Sequence, residues 1–593
     1  MEKQKSPNNV PIINLPNKFP DHPTASNSPT VRPGGGWKAA IFIIFVEVAE
    51  QFASIGLSSN LIMYFTTVFH EPLGVAAKQV NNWVGVSAVF PLLGAFVADS
   101  LLGRFKTIII ASLIFFIGMM VLTVSATVVG DNQRKAVFFL GLYILSVGQG
   151  GHRPCVQTFA ADQFDEESPE ERKKKSSFFN WWYVGLVGGS TFAVFVVIYV
   201  QDNIGWGLSF GILAGVLAAA IILFLAGVKK YRRQVPVGSP LTRIAQVVVA
   251  AARKWRVDET RNGWRICYEE DNRAKNDAEG EHNLMTLART NQFSRILDKA
   301  TLIDKEDEAR KKRDPWRLST VEEVEEVKLV VRLIPVWVSC LMFAVVQAQI
   351  HTFFTKQGST MLRSVGPHFQ LPPASLQGVV GLTILLTVLF YDRVFVPAAR
   401  NFTGHHSGIT VLQRIGMGLF ISIFTMGVSA LVEAKRVTIA AEHGLSDTPK
   451  ATVPMTIWWL IPQYMLCGVS DAFAIIGLQE LFYDQMPEFM RSLGAAAYIS
   501  IIGVGNFLSS AIISVVQAGS GGRWLEDNLN RSNLHYFYWV LAALSALNLC
   551  GYVWIANGFV YKRAGGNRRS ISGDDDDVKN SNNINGCYGD DMI

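Results

Sequence analysis

Residues 141–183 read GLYILSVGQGGHRPCVQTFAADQFDEESPEERKKKSSFFNWWY, and this stretch decides the fold. An apolar run long enough to enter a bilayer carries Arg153 inside it. It then breaks into a charged connector before the next apolar run begins. Arginine near the centre of a membrane helix costs about 2.5–3.5 kcal/mol on insertion scales, so it faces a cavity and takes a partner. The first apolar segment of the chain carries two acids, Glu47 and Glu50. These are the candidate partners.

Over the whole chain, 49% of the 593 residues are hydrophobic and 17% are charged. That is too apolar for a soluble multidomain protein and too charged in places to be membrane throughout. Apolar runs of about 18 residues or more fall near 38–67, 80–100, 106–129, 136–160, 177–200, 206–228, 329–356, 373–396, 408–432, 455–482, 491–517 and 534–560. The expectation is an all-α membrane protein of about twelve spans in two six-helix pseudo-repeats, the layout of the major facilitator superfamily. The halves occupy 37–228 and 329–562, joined by a cytosolic linker at 229–328. A Pro-, Asn- and Ser-rich N-terminus (1–36) and an acidic tail (563–593) read as disordered cytosolic ends.

The basic clusters of the linker, Lys229–Arg233 and Arg310–Asp314, place it on the cytosolic side. With an even number of spans both termini share that side. The sequon at Asn401 is then cytosolic, and the one at Asn530 lies where glycosylation occurs. Leu241–Trp255 alternates apolar and basic positions at helical spacing. It reads either as an interfacial helix on the inner leaflet or as a soluble helix packed on the cytosolic face. Plasma and vacuolar membranes both remain open. The net charge of +6 is spread over loops, which gives no nucleic-acid footprint. Six cysteines without pairing or ligand spacing imply neither disulfides nor metal. Without paired-histidine ligands, a nucleophile beside a base, or a phosphate loop, an enzyme is excluded and no cofactor is implied.

On the first span Glu47, Glu50, Gln51, Ser54 and Ser58 make one helical face polar, which belongs toward the bundle centre. Arginine pairs bidentately with carboxylate or nitrate and does not deprotonate at usable pH. An anion arriving at Arg153 would displace its carboxylate partner and favour protonation of Glu47 or Glu50. Cargo and proton would then move together. A static ion pair is the alternative use of the same residues. Asp99 and Arg104 flank a tight turn at Gly103 and suit a gating elbow. Glu480 and Asp484, with Arg491, suit an inner gate. Gln347, His351 and Thr355 share a helical face. Asp471 lies in mid-membrane with Gln463 and Tyr464 two turns away. Tyr183 is a cavity candidate beside Trp181 and Trp182, which read as packing or interface anchors. The basic run Arg104–Lys106 ahead of Thr107 is a pattern that a regulatory kinase could read.

GGHRPCVQTFAADQFD (150–165), KSSFFNWWY (175–183), FPLLGAFVADSLLGRF (90–105), TVEEVEEVKLVVRLIPVW (320–337) and GLQELFYDQMP (477–487) resemble the proton-coupled oligopeptide transporters, the PTR2/POT family. The match is closest to their plant branch, the nitrate and peptide transporter family. The resemblance implies proton-coupled symport by alternating access, with Glu47 and Glu50 coupling protons and Arg153 standing where the family usually has lysine. Gln51 departs from the family pattern, which has a base there. Gln347 stands where nitrate-binding members have histidine. Asp471 stands where peptide carriers have a glutamate. Val187 replaces an asparagine. The cargo implied is a small anionic solute: nitrate, a di- or tripeptide, or a carboxylated plant metabolite or hormone. A proton-independent uniporter or a substrate sensor is the alternative that the missing base leaves open.

Overall fold

The computed structural model describes residues 35–164, 169–233, 238, 240–255, 265–266, 296–304, 306–307, 313–367, 369–403, 409–449, 451–486 and 490–559. Residues 1–34, the acidic tail and about half of the linker lie outside them.

The chain is almost entirely helical. The first half comprises α1 (Trp37–Ser58), α2 (Leu61–Thr67), α3 (Leu73–Val97), α4 (Arg104–Thr127), α5 (Asp131–Ala161), α6 (Pro169–Asn203) and α7 (Trp206–Ala226). The linker contributes α8 (Pro240–Arg253). The second half comprises α9 (Val321–Ser339), α10 (Leu341–Ala348), α11 (Thr355–Ser359), α12 (Gln377–Phe390), α13 (Val396–Thr403), α14 (Val411–Glu442), α15 (Ile461–Gln485), α16 (Arg491–Gly519) and α17 (Leu534–Asn557).

Among the described residues ten helices are long and apolar enough to cross a membrane, and an eleventh span is a pair bent by 43° at Cys340. α5, which the sequence reading takes as a span, is not among them: its turn from Gln149 to Arg153 is polar, although its 31 residues pack along α3 and α4. The first expected span is interrupted at Ser59 and Asn60, where the Asn60 amide donates to Gln201 and Asp202. The seventh begins earlier than the sequence suggested. A capping box between Thr320 and Glu323 starts α9 at Val321, well outside the apolar run.

Pro154 has no N–H to give the carbonyl of Gly150, one turn back in α5. That carbonyl faces α3, where a Cβ on Gly94 would lie 1.9 Å from the oxygen. Glycine is therefore required for the two backbones to touch. The contact fixes the height of Arg153, one residue before the proline.

The N–H groups of Gly35 and Gly36 donate to Lys230 and Gln163. The N-terminus, the last turn of α5 and the start of the linker thus share one end of the bundle, here the linker end. Among the described residues, the hydrogen bonds that tie the halves together lie toward the far end. They join Leu73 to Asp527, Lys78 to Gln517, Asn81 to Ser509, Thr66 to Lys356, Val194 to Ser375, Lys78 to Ser510 and Ser59 to Gln377. The bundle is latched at the far end.

α8 resolves its two sequence readings. Val247, Ala250 and Ala251 are buried against Val324 and Val327 of α9, so the helix packs on protein. Arg243 pairs with Glu326 at 2.7 Å, and the buried Lys254 pairs with Asp307 at 2.7 Å.

Arg436, beyond the apolar run read at 408–432, lies in α14 with no exposed surface. Its guanidinium grips both oxygens of Glu433 at 2.6 and 2.8 Å and also donates to Thr360, Asn530 and the Leu529 carbonyl. Asn530, expected to be glycosylation-competent, is 1% exposed. Its oxygen accepts from Arg436 and its nitrogen donates to the carbonyls of Thr448 and Ala451. The folded side chain has no free surface on which to carry a sugar.

The full-length protein expressed in yeast is therefore expected to show no N-glycosidase mobility shift that Asn530→Gln removes; a shift lost in that variant would contradict the burial of Asn530. Arg436→Ala leaves Glu433 as an unpaired buried charge, a change that costs about 3–5 kcal/mol. Thermal unfolding of the detergent-purified variant measures that loss, and an unchanged melting temperature would remove this cluster from the stability account.

Candidate functional site

The polar face of α1 meets the polar turn of α5 inside the first half. Arg153 Nε donates to Glu50 Oε1 at 3.2 Å, and its Nη2 donates to the Ser54 hydroxyl at 2.7 Å. Gln149, one turn earlier, donates to the same hydroxyl at 2.7 Å. Glu50 is 1% exposed while the arginine side chain keeps 22%, so the carboxylate is sealed and the cation is reachable. Glu47 is buried one turn before Glu50, and one oxygen of each carboxylate has no hydrogen-bond partner. Tyr498 of α16 comes into electrostatic range of both Glu47 and Arg153, which brings the second half to this cluster.

His152 is the residue that sequence reasoning missed. It is 1% exposed, and one of its ring nitrogens and one oxygen each from Glu47 and Glu50 all lie within 4.8 Å of one another. Its neighbour Arg153 drew attention because a cation in lipid is costly. Histidine is uncharged at neutral pH, and only its burial beside two acids marks it.

A separate cavity of about 270 Å³ lies between the halves, with apolar walls that include Ile55, Val84, Val194, Phe343 and Ile475. Its polar lining comes chiefly from Gln347, His351, Asp471 and Asn506. Both amide atoms of Gln347 and one oxygen of Asp471 are buried without a hydrogen-bond partner. Gln377 Nε2 donates to the Ser59 carbonyl at 2.8 Å and to Thr355 at 2.9 Å, so its oxygen must accept from His351 Nδ1 at 2.9 Å. That arrangement fixes the tautomer and leaves Nε2 of the neutral ring as a lone pair.

The structure thus gathers Gln347, His351 and Asp471 in one cavity, and Glu47, Glu50 and Arg153 in a neighbouring cluster that does not line it. Gln463 does not join either group. It is fully buried and donates to Gln357, which in turn donates to Glu433, so its amide serves the Arg436 cluster. Tyr464 packs edge-on against Phe354 beside the same cluster. Tyr183 lies on α6, but its side chain falls outside the described residues, as does that of Arg491.

At the linker end Arg104 pairs with Asp99 at 3.6 Å and with Asp162 at 2.6 Å, so the elbow has a third member from the end of α5. Its signal was already present in the ADQFD run. Glu480 pairs with Arg414 of its own half at 3.3 Å, and Asp484 is exposed. Neither is hydrogen-bonded to the first half among the described residues.

Comparison with known proteins accords with this architecture. Residues 105–525 match the PTR2 model, described as the POT family. Protein NRT1/PTR FAMILY 5.4 of Arabidopsis thaliana is 54% identical over 551 residues, 92% of this chain and 98% of the relative. Protein NRT1/PTR FAMILY 5.10 of the same plant is 46% identical over 91% of this chain and 95% of its own. An auto-inhibited POT family peptide transporter superposes with a TM-score of 0.66 at 21% identity, covering 90% of this chain and 99% of its own. A POT family transporter in complex with 5-aminolevulinic acid superposes with a TM-score of 0.61 at 13% identity, over 89% of this chain and 98% of its own. These last two likenesses are of fold alone. A buried cation among acids, two six-helix halves latched at one end and a cavity between them occur in a chain that belongs to the POT family of multi-pass membrane transporters, in its NRT1/PTR branch.

Proposed function

We propose that the chain is a proton-coupled symporter of a small solute bearing an anionic group, working by alternating access. The observation that carries this reading is the pair Arg153–Glu50, in which a reachable guanidinium holds a sealed carboxylate. A cargo carboxylate or nitrate arriving at Arg153 competes for the same donors. Glu50, released, then shares a buried space with Glu47, and two carboxylates cannot both remain ionised there. A proton enters to neutralise one of them. Movement of cargo to the other side lets Arg153 return to Glu50 and expels the proton.

The linker end carries the basic clusters and is taken as cytosolic, so the far-end latch describes a cytosol-facing state. The central cavity narrows the cargo. Asp471 and the lone pair of His351 Nε2 are hydrogen-bond acceptors facing it, so a solute with a donor or cationic group opposite its anionic end fits better than bare nitrate. A uniporter remains the second reading, because Gln51 supplies no charge where the family has a base.

Oocytes expressing the protein are to be offered nitrate, a dipeptide and 5-aminolevulinic acid at acidic and neutral pH, with current and tracer uptake recorded. Inward current that grows with acidity for the solutes carrying an amine is expected; uptake without current or pH dependence would favour the uniporter. Arg153→Ala should lower uptake by about tenfold or more, equivalent to 1.4 kcal/mol, and unchanged uptake would refute the site. Glu50→Gln should keep exchange of cargo between equal concentrations while removing the acid stimulation of net uptake. Acid stimulation that survives this change would assign coupling elsewhere.

A further inference from the structure

We propose that His152 is the third proton-holding group of the coupling site, sharing one proton with Glu47 and Glu50. The inference rests on the symport reading and extends it to a residue outside the two acids. Three observations support it. His152 is 1% exposed, inside the bundle. Its Nδ1, Glu47 Oε2 and Glu50 Oε2 are each buried without a hydrogen-bond partner. One ring nitrogen and one oxygen from each acid lie within 4.8 Å of one another, so the three side chains that carry these unsatisfied atoms meet at one small space.

A buried polar atom left without a partner costs about 1–3 kcal/mol, more when charged. Three around one space would be expensive if nothing joined them. The proton that enters when cargo takes Arg153 turns one of the three into a donor to another, which relieves two atoms at once. The charges agree. Two carboxylates set against the Arg153 guanidinium leave one negative charge, which one added proton cancels. The groups facing His152 are Glu50 and Glu47 from α1 and Arg153 beside it on α5. Tyr498 from α16 lies in electrostatic range of Glu47 and Arg153. From α3 and α4 the neighbours of this turn are Phe90, Thr107 and Ala111, none of which is charged or titratable near neutral pH.

The imidazole is positioned differently from either acid. It is anchored on α5 next to the guanidinium that the cargo displaces, whereas both acids are on α1. When Arg153 changes partner, the ring stays within reach of both carboxylates and can hold the proton during the exchange. Interacting sites of this kind titrate as a unit, so removing one member changes the proton affinity of the others.

The test uses full-length protein in lipid nanodiscs and difference infrared spectroscopy, following the carbonyl-stretch band of protonated carboxyl groups as pH is varied in water and in heavy water. Wild-type protein should show such a band, and Glu47→Gln and Glu50→Gln should each diminish it. His152→Gln, which keeps an amide donor but cannot titrate, should retain the band and lower its proton affinity about tenfold, a shift of one pH unit. His152→Asn should do the same. An unmoved midpoint in both histidine variants, with the band still lost in the glutamate variants, overturns the role of His152 and leaves the symport reading intact. A band unaffected by either glutamate variant overturns that reading as well. Should the histidine variants fail to purify as single species, wild-type protein with isotope-labelled histidine gives the answer: an imidazole band that titrates together with the carboxyl band supports the inference, and its absence overturns it.

Discussion

One interaction sets the terms for the rest of the first half: a guanidinium held inside an apolar bundle by a carboxylate that is sealed from solvent. The cost of placing a cation in lipid is met only if the helix carrying it stands at a fixed depth opposite an acid. The Gly94–Gly150 contact and Pro154 set that depth. Ser54 and Gln149 complete the hydrogen bonding around the pair. Each of these residues has an ordinary helical alternative, and each is explained by the needs of Arg153.

The two buried arginine–glutamate pairs differ in a way that separates structure from transport. Arg436 engages both oxygens of one acid and three further acceptors, with no exposed surface on either partner. Such saturation rigidifies and leaves no site for a competitor. Arg153 engages one oxygen of Glu50 and one hydroxyl, keeps part of its surface reachable, and stands beside acid oxygens that have no partner. Incomplete satisfaction leaves the donors of this arginine open to another acceptor, as the proposed exchange of partners requires.

Much of this was legible in the sequence because membrane helices write their length in apolar runs and cannot hide a charge. Arg153, its acid partner and the two-half layout were read from that constraint. Groups whose role depends on tertiary surroundings were not. His152 is uncharged, so no insertion cost marked it. Gln463 and Asn530 look like a cavity residue and a glycan acceptor until Gln357, Glu433 and Arg436 claim their amides. The linker helix could have lain on lipid or on protein, since an amphipathic face does not name its partner; the apolar side chains at Val324 and Val327 decide it.

The far-end latch and the central cavity share a residue, which gives alternating access a physical route through this chain. Gln377 donates to the Ser59 carbonyl across the interface between halves and at the same time accepts from His351, which lines the cavity. The amide has only one carbonyl oxygen and one nitrogen, so turning it to suit a changed histidine surrenders the bond to Ser59. A solute that donates to His351 Nε2 preserves the arrangement, because the ring keeps Nδ1–H toward Gln377. One that gives a proton to the ring's far nitrogen alters the strength of the same bond. Under the proposed alternating access, the halves of a bundle latched by a handful of polar contacts would sense cargo without a long-range strain, through one side chain that belongs to both the seal and the cavity.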